Sequence, residues 1–171
     1  MTKLYLVRHG ETFDNERQIM QGQTQGELNL TGIRQAEALS RQLADEHFDA
    51  VVASDLWRAV QTAQILAEPH HLPVVITPLL RERDWGSFTG RFIPGLKDIK
   101  PWPDDIESLP MLISPFLLLW SRHANPEEVR VSLVDSVDDS FVILFGELWL
   151  VRWRVCHNLK VVVFYRCTQT D

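Results

Sequence analysis

Apolar and polar positions alternate in two recognisable periods over the first two thirds of the chain. The run "KLYLV" is short and continuously apolar after Lys3, which predicts a strand buried on both faces, and it passes directly into Arg8, His9 and Gly10. In "LTGIRQAEALSRQLADE", Ala36, Leu39 and Leu43 recur at helical spacing with Gln and Arg between them, and Thr31 is placed as the N-cap. "FDAVVASD" reads as a second buried strand ending at Ser54 and Asp55. "LWRAVQTAQILAE" reads as a second helix stopped by Pro69, and "LPVVITPLL" as a third strand leading into "RERDWGSFTG". Strand, helix, strand, helix, strand predicts right-handed crossovers. The expected architecture is a three-layer α/β/α sandwich with a mainly parallel sheet.

In such sheets ligands sit beyond the carboxyl ends of the strands. Arg8 and His9, Ser54 to Arg58, and Arg81 and Glu82 each follow a predicted strand, so three separate segments bring Arg, His and Glu to one edge of the sheet. Any one of them reads equally well as surface charge at a strand end. The three together, in this order, point to a site.

Bulk properties narrow what that site binds. The chain has 171 residues, the size of one domain, and its net charge of −6 gives no bulk attraction to nucleic acid. An anion site must therefore come from local concentration of Arg and His. The two cysteines, Cys156 and Cys167, fit neither a metal nor a redox spacing and form no disulfide framework, so a reducing cytoplasm is expected. Arg8 interrupts the first apolar run, so no signal peptide is expected. Tracts such as "MLISPFLLLW" are too short to span a bilayer and contain Pro115, so no membrane association is expected.

The segment Arg8-His9-Gly10-Glu11-Thr12-x-x-Asn15 resembles the signature of the histidine phosphatase superfamily, which includes the cofactor-dependent phosphoglycerate mutases. Further matches follow in family order. Gln21-Gly22 resembles a second phosphate-loop element, and "LTGIRQA" approximates a third motif. Ser54-Asp55-Leu56-x-Arg58-Ala59-x-Gln61-Thr62-Ala63 is similar to the second arginine motif, and Leu80-Arg81-Glu82-x-x-x-Gly86-x-x-x-Gly90 resembles the proton-donor segment. The resemblance implies His9 as nucleophile, forming a phosphohistidine. Its other ring nitrogen needs an acceptor, commonly a backbone carbonyl, to fix the tautomer. Arg8 and Arg58 are expected to make bidentate contacts to phosphoryl oxygens, which lysine lacks the planar fork to do. Asn15 would add a neutral donor; its other possible role is stabilising the turn after the strand. Glu82 is the candidate general acid and then base, preferred over Asp84 because it occupies the motif position. Glu11 and Thr12 are expected to be scaffolding. Trp85 either covers the site mouth or fills core space. Gly10 is expected to let the backbone pass close to the phosphoryl group. Gln21, Gly22 and Arg83 complete the substrate-binding set, Arg83 because Glu82-Arg83-x-x-Gly86 resembles a mutase substrate segment. No metal or other cofactor is implied, since arginines stand in for a divalent cation.

The resemblance stops near residue 108. The family's late strand ends in a His-Gly pair, and no His-Gly pair follows Gly10 in this chain. His123 and His157 are the two histidines that compete for the missing position. From Leu109 onward, caps and amphipathic periodicity give way to β-prone apolar stretches such as "FVILFGELWLVRWRV" and "VVVFY", which are aggregation hazards unless buried. The expectation is one domain over 1–171, with 109–171 atypical through either a shifted coding frame near residues 108 to 115 or divergence. The expected function is hydrolysis of a small phosphorylated metabolite. The rivals are a phosphoglycerate-mutase-type transferase and a module that binds phospho-ligands without turnover.

Overall fold

A computed structural model describes residues 2–96 and 98–107, together with the strands Val129–Val134, Phe141–Ile143 and Val161–Cys167. The element order is β1 (Thr2–Arg8), α1 (Phe13–Glu16), α2 (Leu30–Leu43), β2 (Ala50–Ser54), α3 (Trp57–Ala67), β3 (Val74–Thr77), β4 (Val129–Val134), β5 (Phe141–Ile143) and β6 (Val161–Cys167). The α/β architecture expected from the sequence is present, with the three early strands and two main helices where the periodicity placed them.

The six strands form one sheet in the order β3-β2-β6-β1-β4-β5. Strand β1 pairs in parallel with β4, and β2 with β3. Strand β6 lies between β1 and β2 and is antiparallel to both, and β5 is antiparallel to β4, so four of the six strands run in one direction. The carboxyl ends of β1, β2 and β3 consequently emerge at one edge. The register pairs Arg8 with Val161 and Ser54 with Thr77 there.

One face of the sheet meets α2 and α3. Tyr5 and Val7 from β1, Val51 and Ala53 from β2, Leu39 and Leu43 from α2, and Ala63, Leu66 and Ala67 from α3 form one buried cluster with Phe48. The alternation 5/7 and 51/53 is the two-residue strand period, and 39/43 and 63/67 the helical one. Each large apolar side chain so buried contributes about 1.5–3 kcal/mol relative to exposure. A smaller cluster of Trp85, Phe88 and Leu96, flanked by Met20, Ile99 and Ile106, lies under the segment after β3.

One local expectation is corrected. The N-cap of α2 is Asn29, whose side chain accepts from the Gly32 backbone N–H at 2.9 Å, and Thr31 lies inside the helix. Asn29 wins because its amide nitrogen also donates to Glu11 Oε1 at 2.7 Å, tying the helix start to the loop after β1. A second constraint, beside the expected approach to a phosphoryl group, acts on Gly10. A Cβ there would collide with the Gly32 backbone, and a Cβ on Gly32 would collide with Glu11. Gly10 is therefore required by the crossing of the β1 loop over the α2 N-terminus.

Candidate active site

The loop after β1, the corner between β2 and α3, and the segment after β3 converge at that edge. His9 is buried, and its Nδ1 lies 2.6 Å from the Gly10 carbonyl oxygen. A carbonyl can only accept, so Nδ1 carries the proton. On the other side of the ring, Arg58 Nε donates to His9 Nε2 at 3.1 Å. A guanidinium can only donate, so Nε2 presents its lone pair. The two neighbours together fix the neutral Nδ1–H tautomer. The expectation that a backbone carbonyl orients the ring thus has a named partner, Gly10. The Gly10 N–H is itself held by Thr62 Oγ1 at 3.1 Å, and that hydroxyl donates to the Arg58 carbonyl at 2.8 Å.

Arg58 sits in the first turn of α3 and is fully buried. All five of its side-chain N–H groups have protein acceptors. Besides His9, these are the carbonyls of Thr24 and of Gln25 (3.4 Å) on Nη1, and the Gly22 carbonyl (2.7 Å) and Glu82 Oε2 (2.8 Å) on Nη2. Burial pulls its pKa down, an effect opposed by the Glu82 carboxylate and, at longer range, by Asp14.

Glu82 is buried on the Arg58 fork, and Trp85 Nε1 donates to its Oε1 at 3.3 Å. Asp84 is exposed and bonds locally to the Gly86 N–H, outside this network. Trp85 therefore holds the carboxylate of Glu82 as well as filling core space. Gly22 adopts φ +53°, a left-handed conformation that suits glycine, and a Cβ there would meet Thr89 Oγ1 at 2.9 Å.

Arg8 is half-buried at the end of β1, and among the described residues its buried Nε has no hydrogen-bond partner. Gln21 is buried with both amide atoms similarly unpartnered. Such orphaned polar groups are uncommon in folded proteins and call for a partner beyond the described residues. Asn15 closes a capping box at the start of α1: its Oδ1 accepts from the Thr12 N–H at 3.1 Å and from the Thr12 hydroxyl at 2.9 Å. Its oxygen is thus committed to the turn. Glu11 and Thr12 are bonded as scaffolding.

Arg83 directly follows Glu82 and is half-buried. Its Cζ sits 4.9 Å from the Trp85 ring and 5.5 Å from the Trp102 ring, and its Nε donates to the Glu107 carbonyl at 2.5 Å. Burial lowers its pKa, partly offset by Glu107, and it remains a cation at neutral pH. The aromatic frame from Trp102 and the anchoring role of Thr62 were not legible in the sequence. Their only signal was membership of otherwise assigned stretches, "PWPDDIE" and "QTA". Among the described residues no cluster of three or more His, Cys, Asp or Glu is placed to hold a metal ion, and no helix is long and apolar enough to cross a membrane. His123 and His157 lie outside the described residues.

Comparison with known proteins identifies the family of the chain. A family model described as the histidine phosphatase superfamily, branch 1, matches residues 4–112. An uncharacterized phosphatase, PhoE, of Bacillus subtilis (strain 168) is 43% identical over 106 residues, 62% of this chain and 54% of that protein. A probable phosphoglycerate mutase, GpmB, of Yersinia pestis (strain Pestoides F) is 40% identical over 96 residues, 56% of this chain and 45% of that protein. The chain spans about half the length of the curated relatives it matches. Among solved structures, the mycobacterial glucosyl-3-phosphoglycerate phosphatase superposes with a TM-score of 0.65 at 28% identity, covering 78% of this chain and 73% of that one. A putative alpha-ribazole-5'-P phosphatase from Escherichia coli gives 0.64 at 27%, covering 79% and 73%.

Proposed function

The chain belongs to the histidine phosphatase superfamily, and from that premise we propose that it hydrolyses small phosphate monoesters through a phosphohistidine on His9. The observation that carries this reading is the ring of His9. With Nδ1–H donated to Gly10, the Nε2 lone pair, which accepts from Arg58 Nε, serves in-line attack on phosphorus once that N–H turns to a phosphoryl oxygen. The N–P bond forms as the ester P–O bond breaks; Glu82, having exchanged its ion pair with Arg58 for a proton from solvent as the ester binds, gives that proton to the leaving oxygen. The resulting carboxylate then takes a proton from water as that water attacks phosphorus. The N–P bond breaks, phosphate leaves, and Nε2 regains its lone pair. Arg8, the Gln21 amide and Asn15 Nδ2 are the donors available to phosphoryl oxygens. Arg58 joins them by exchange, and Arg83 faces the leaving group.

A second reading, a mutase-type phosphotransferase, is favoured by one feature, the cation Arg83 directly after Glu82, and by the name of the Yersinia relative. Both readings share the first half-reaction and differ in whether water or a second acceptor reaches the phosphohistidine. Incubation with 3-phosphoglycerate, following isomerisation against phosphate release, separates them.

The decisive experiment traps an acid-labile phosphoenzyme from a radiolabelled monoester and repeats the trap with His9→Ala. Loss of label in the variant is expected. Undiminished label removes His9 from the mechanism, and phosphate or vanadate binding without any label or turnover makes the protein a binding module.

A further inference from the structure

Three loops meet at the reacting centre, and one side chain outside the catalytic set touches two of them and belongs to the third. Arg81 Nε donates to Asp55 Oδ1 at 2.7 Å, Arg81 Nη2 pairs with Asp55 Oδ2, and Arg81 Nη1 reaches Gln23 Oε1 at 3.4 Å. Asp55 lies in the β2–α3 corner that carries Arg58, Gln23 follows the Gln21-Gly22 turn, and Arg81 immediately precedes Glu82. Arg81 itself is extended, at φ −61° and ψ 148°, so its side chain and that of Glu82 diverge from the chain. The same corner receives both: Asp55 takes Arg81, and Arg58 takes Glu82.

We propose, building on the phosphohistidine reading above, that Asp55 and Arg81 are positioning residues. Their bidentate clamp sets the Arg58–Glu82 separation, and through Arg58 it aims the N–H that faces His9 Nε2. The geometry suits this task better than a stabilising one. The two side chains are 26% and 39% exposed, and ion pairs so accessible contribute little to stability. A planar two-bond pair nevertheless fixes distance and angle together, which a single charge contact does not. Neighbouring contacts act in the same sense: Gln25 holds the first turn of α3 through the Trp57 N–H (2.9 Å) and the Arg58 N–H (3.2 Å). The loop behind Gly22 is thereby fixed to the same corner. The Arg81 guanidinium strengthens the ionised form of Asp55 and is itself strengthened as a cation, both through their shared hydrogen bonds.

The test uses the whole chain and the variants Asp55→Asn, Arg81→Lys and the charge-swapped Asp55→Arg/Arg81→Asp. Hydrogen exchange of the Arg58 Nε–H, followed by NMR, reads the clamp without requiring turnover. Exchange about tenfold faster is expected in both single variants, with kcat on a generic aryl phosphate about 10- to 100-fold lower, the cost of a displacement near 1 Å. KM and the thermal midpoint should hold, and the swapped pair should recover part of both losses. Arg81→Lys discriminates, because it keeps the charge and loses only the fork. Folded single variants with wild-type exchange and kcat overturn the proposal, as does a fall in kcat that only follows a fall in thermal midpoint. If the wild-type protein forms no phosphoenzyme, the phosphohistidine reading fails on its own and the exchange measurement still decides the clamp.

Discussion

Glu82 pairs with one arginine, buried on the inner side, and is followed in sequence by another, more exposed on the outer side; the two are housed in opposite ways. Arg58, on the inner side, is fully buried with all five N–H groups bonded to carbonyls, a carboxylate and an imidazole. Arg83, on the outer side, is half-buried. It has one hydrogen bond to a carbonyl and two indole faces as its frame. Directional bonds fix a group within tenths of an ångström, whereas ring faces tolerate sliding and rotation while still attracting a cation. The inner side is thus built for one geometry and the outer side for a range of partners. Chemistry should depend on the first, and choice of ester on the second.

Arg58→Ala should break the inner side most severely. It leaves the Glu82 carboxylate buried without its counter-charge and several carbonyls without donors, a loss of about 3–5 kcal/mol measurable in urea unfolding. Arg58→Lys tests geometry more cleanly, since one ammonium cannot replace a five-donor fork. It should fold and yet slow phosphoryl transfer by about 10²–10³-fold, the usual loss when a preorganised donor is removed. A lysine variant with the wild-type rate would show that charge alone is used.

The crossing of Gly10 over Gly32 comes next. Alanine at either position meets backbone, which has little room to yield, so a loss of about 1–3 kcal/mol is expected in the same unfolding measurement. Wild-type stability in Gly32→Ala would mean that the β1 loop and the α2 start are not held this closely. This crossing also shows where sequence reading fails. The strands β1 to β3 and the helices α2 and α3 were legible because their apolar spacing is local and repeated. The convergence of His9, Arg58 and Glu82 followed from their places after successive strands. Thr31 and Asn29 are both competent caps, and local pattern does not choose between them; the bond from Asn29 to Glu11, eighteen residues away in sequence, does. The antiparallel insertion of β6 between β1 and β2 is equally non-local. "VVVFY" shows strand propensity but carries no information about which neighbours it will find.

On the outer side, Arg83→Ala should leave the phosphohistidine step intact and weaken binding of esters whose leaving group carries a second negative charge. A rise in KM of about tenfold or more, at nearly constant kcat, corresponds to one lost charge-assisted hydrogen bond. An uncharged aryl phosphate should show almost no change. Equal falls in kcat for both esters would erase the division between an inner chemical side and an outer selective one.

The smallest effect lies at the opposite end of the core and serves as a control for the comparison. His70 packs edge-on against Phe48 at 4.8 Å, and its buried Nε2 has no hydrogen-bond partner among the described residues. Its pKa is lowered, first by burial and then by repulsion from His47 and His71; Asp49 lies 3.7 Å from His47 Nε2. Folding therefore keeps His70 neutral at a pH where the unfolded chain would protonate it. Below the ordinary value of 6.5 the unfolded state binds more protons, so stability contributed by neutral His70 is present above that pH and declines as pH falls towards the lowered folded-state value. His70→Phe keeps a ring against Phe48 and removes the proton site. Urea midpoints measured from pH 8 down to about 5.5 should shift progressively in favour of the variant as pH falls below 6.5. A constant offset across that range would mean that His70 is not held neutral. The phosphoenzyme yield should be the same in variant and wild type at every pH where both are folded, because Arg58, the partner of His9, lies in the first turn of α3 and His70 lies beyond its last.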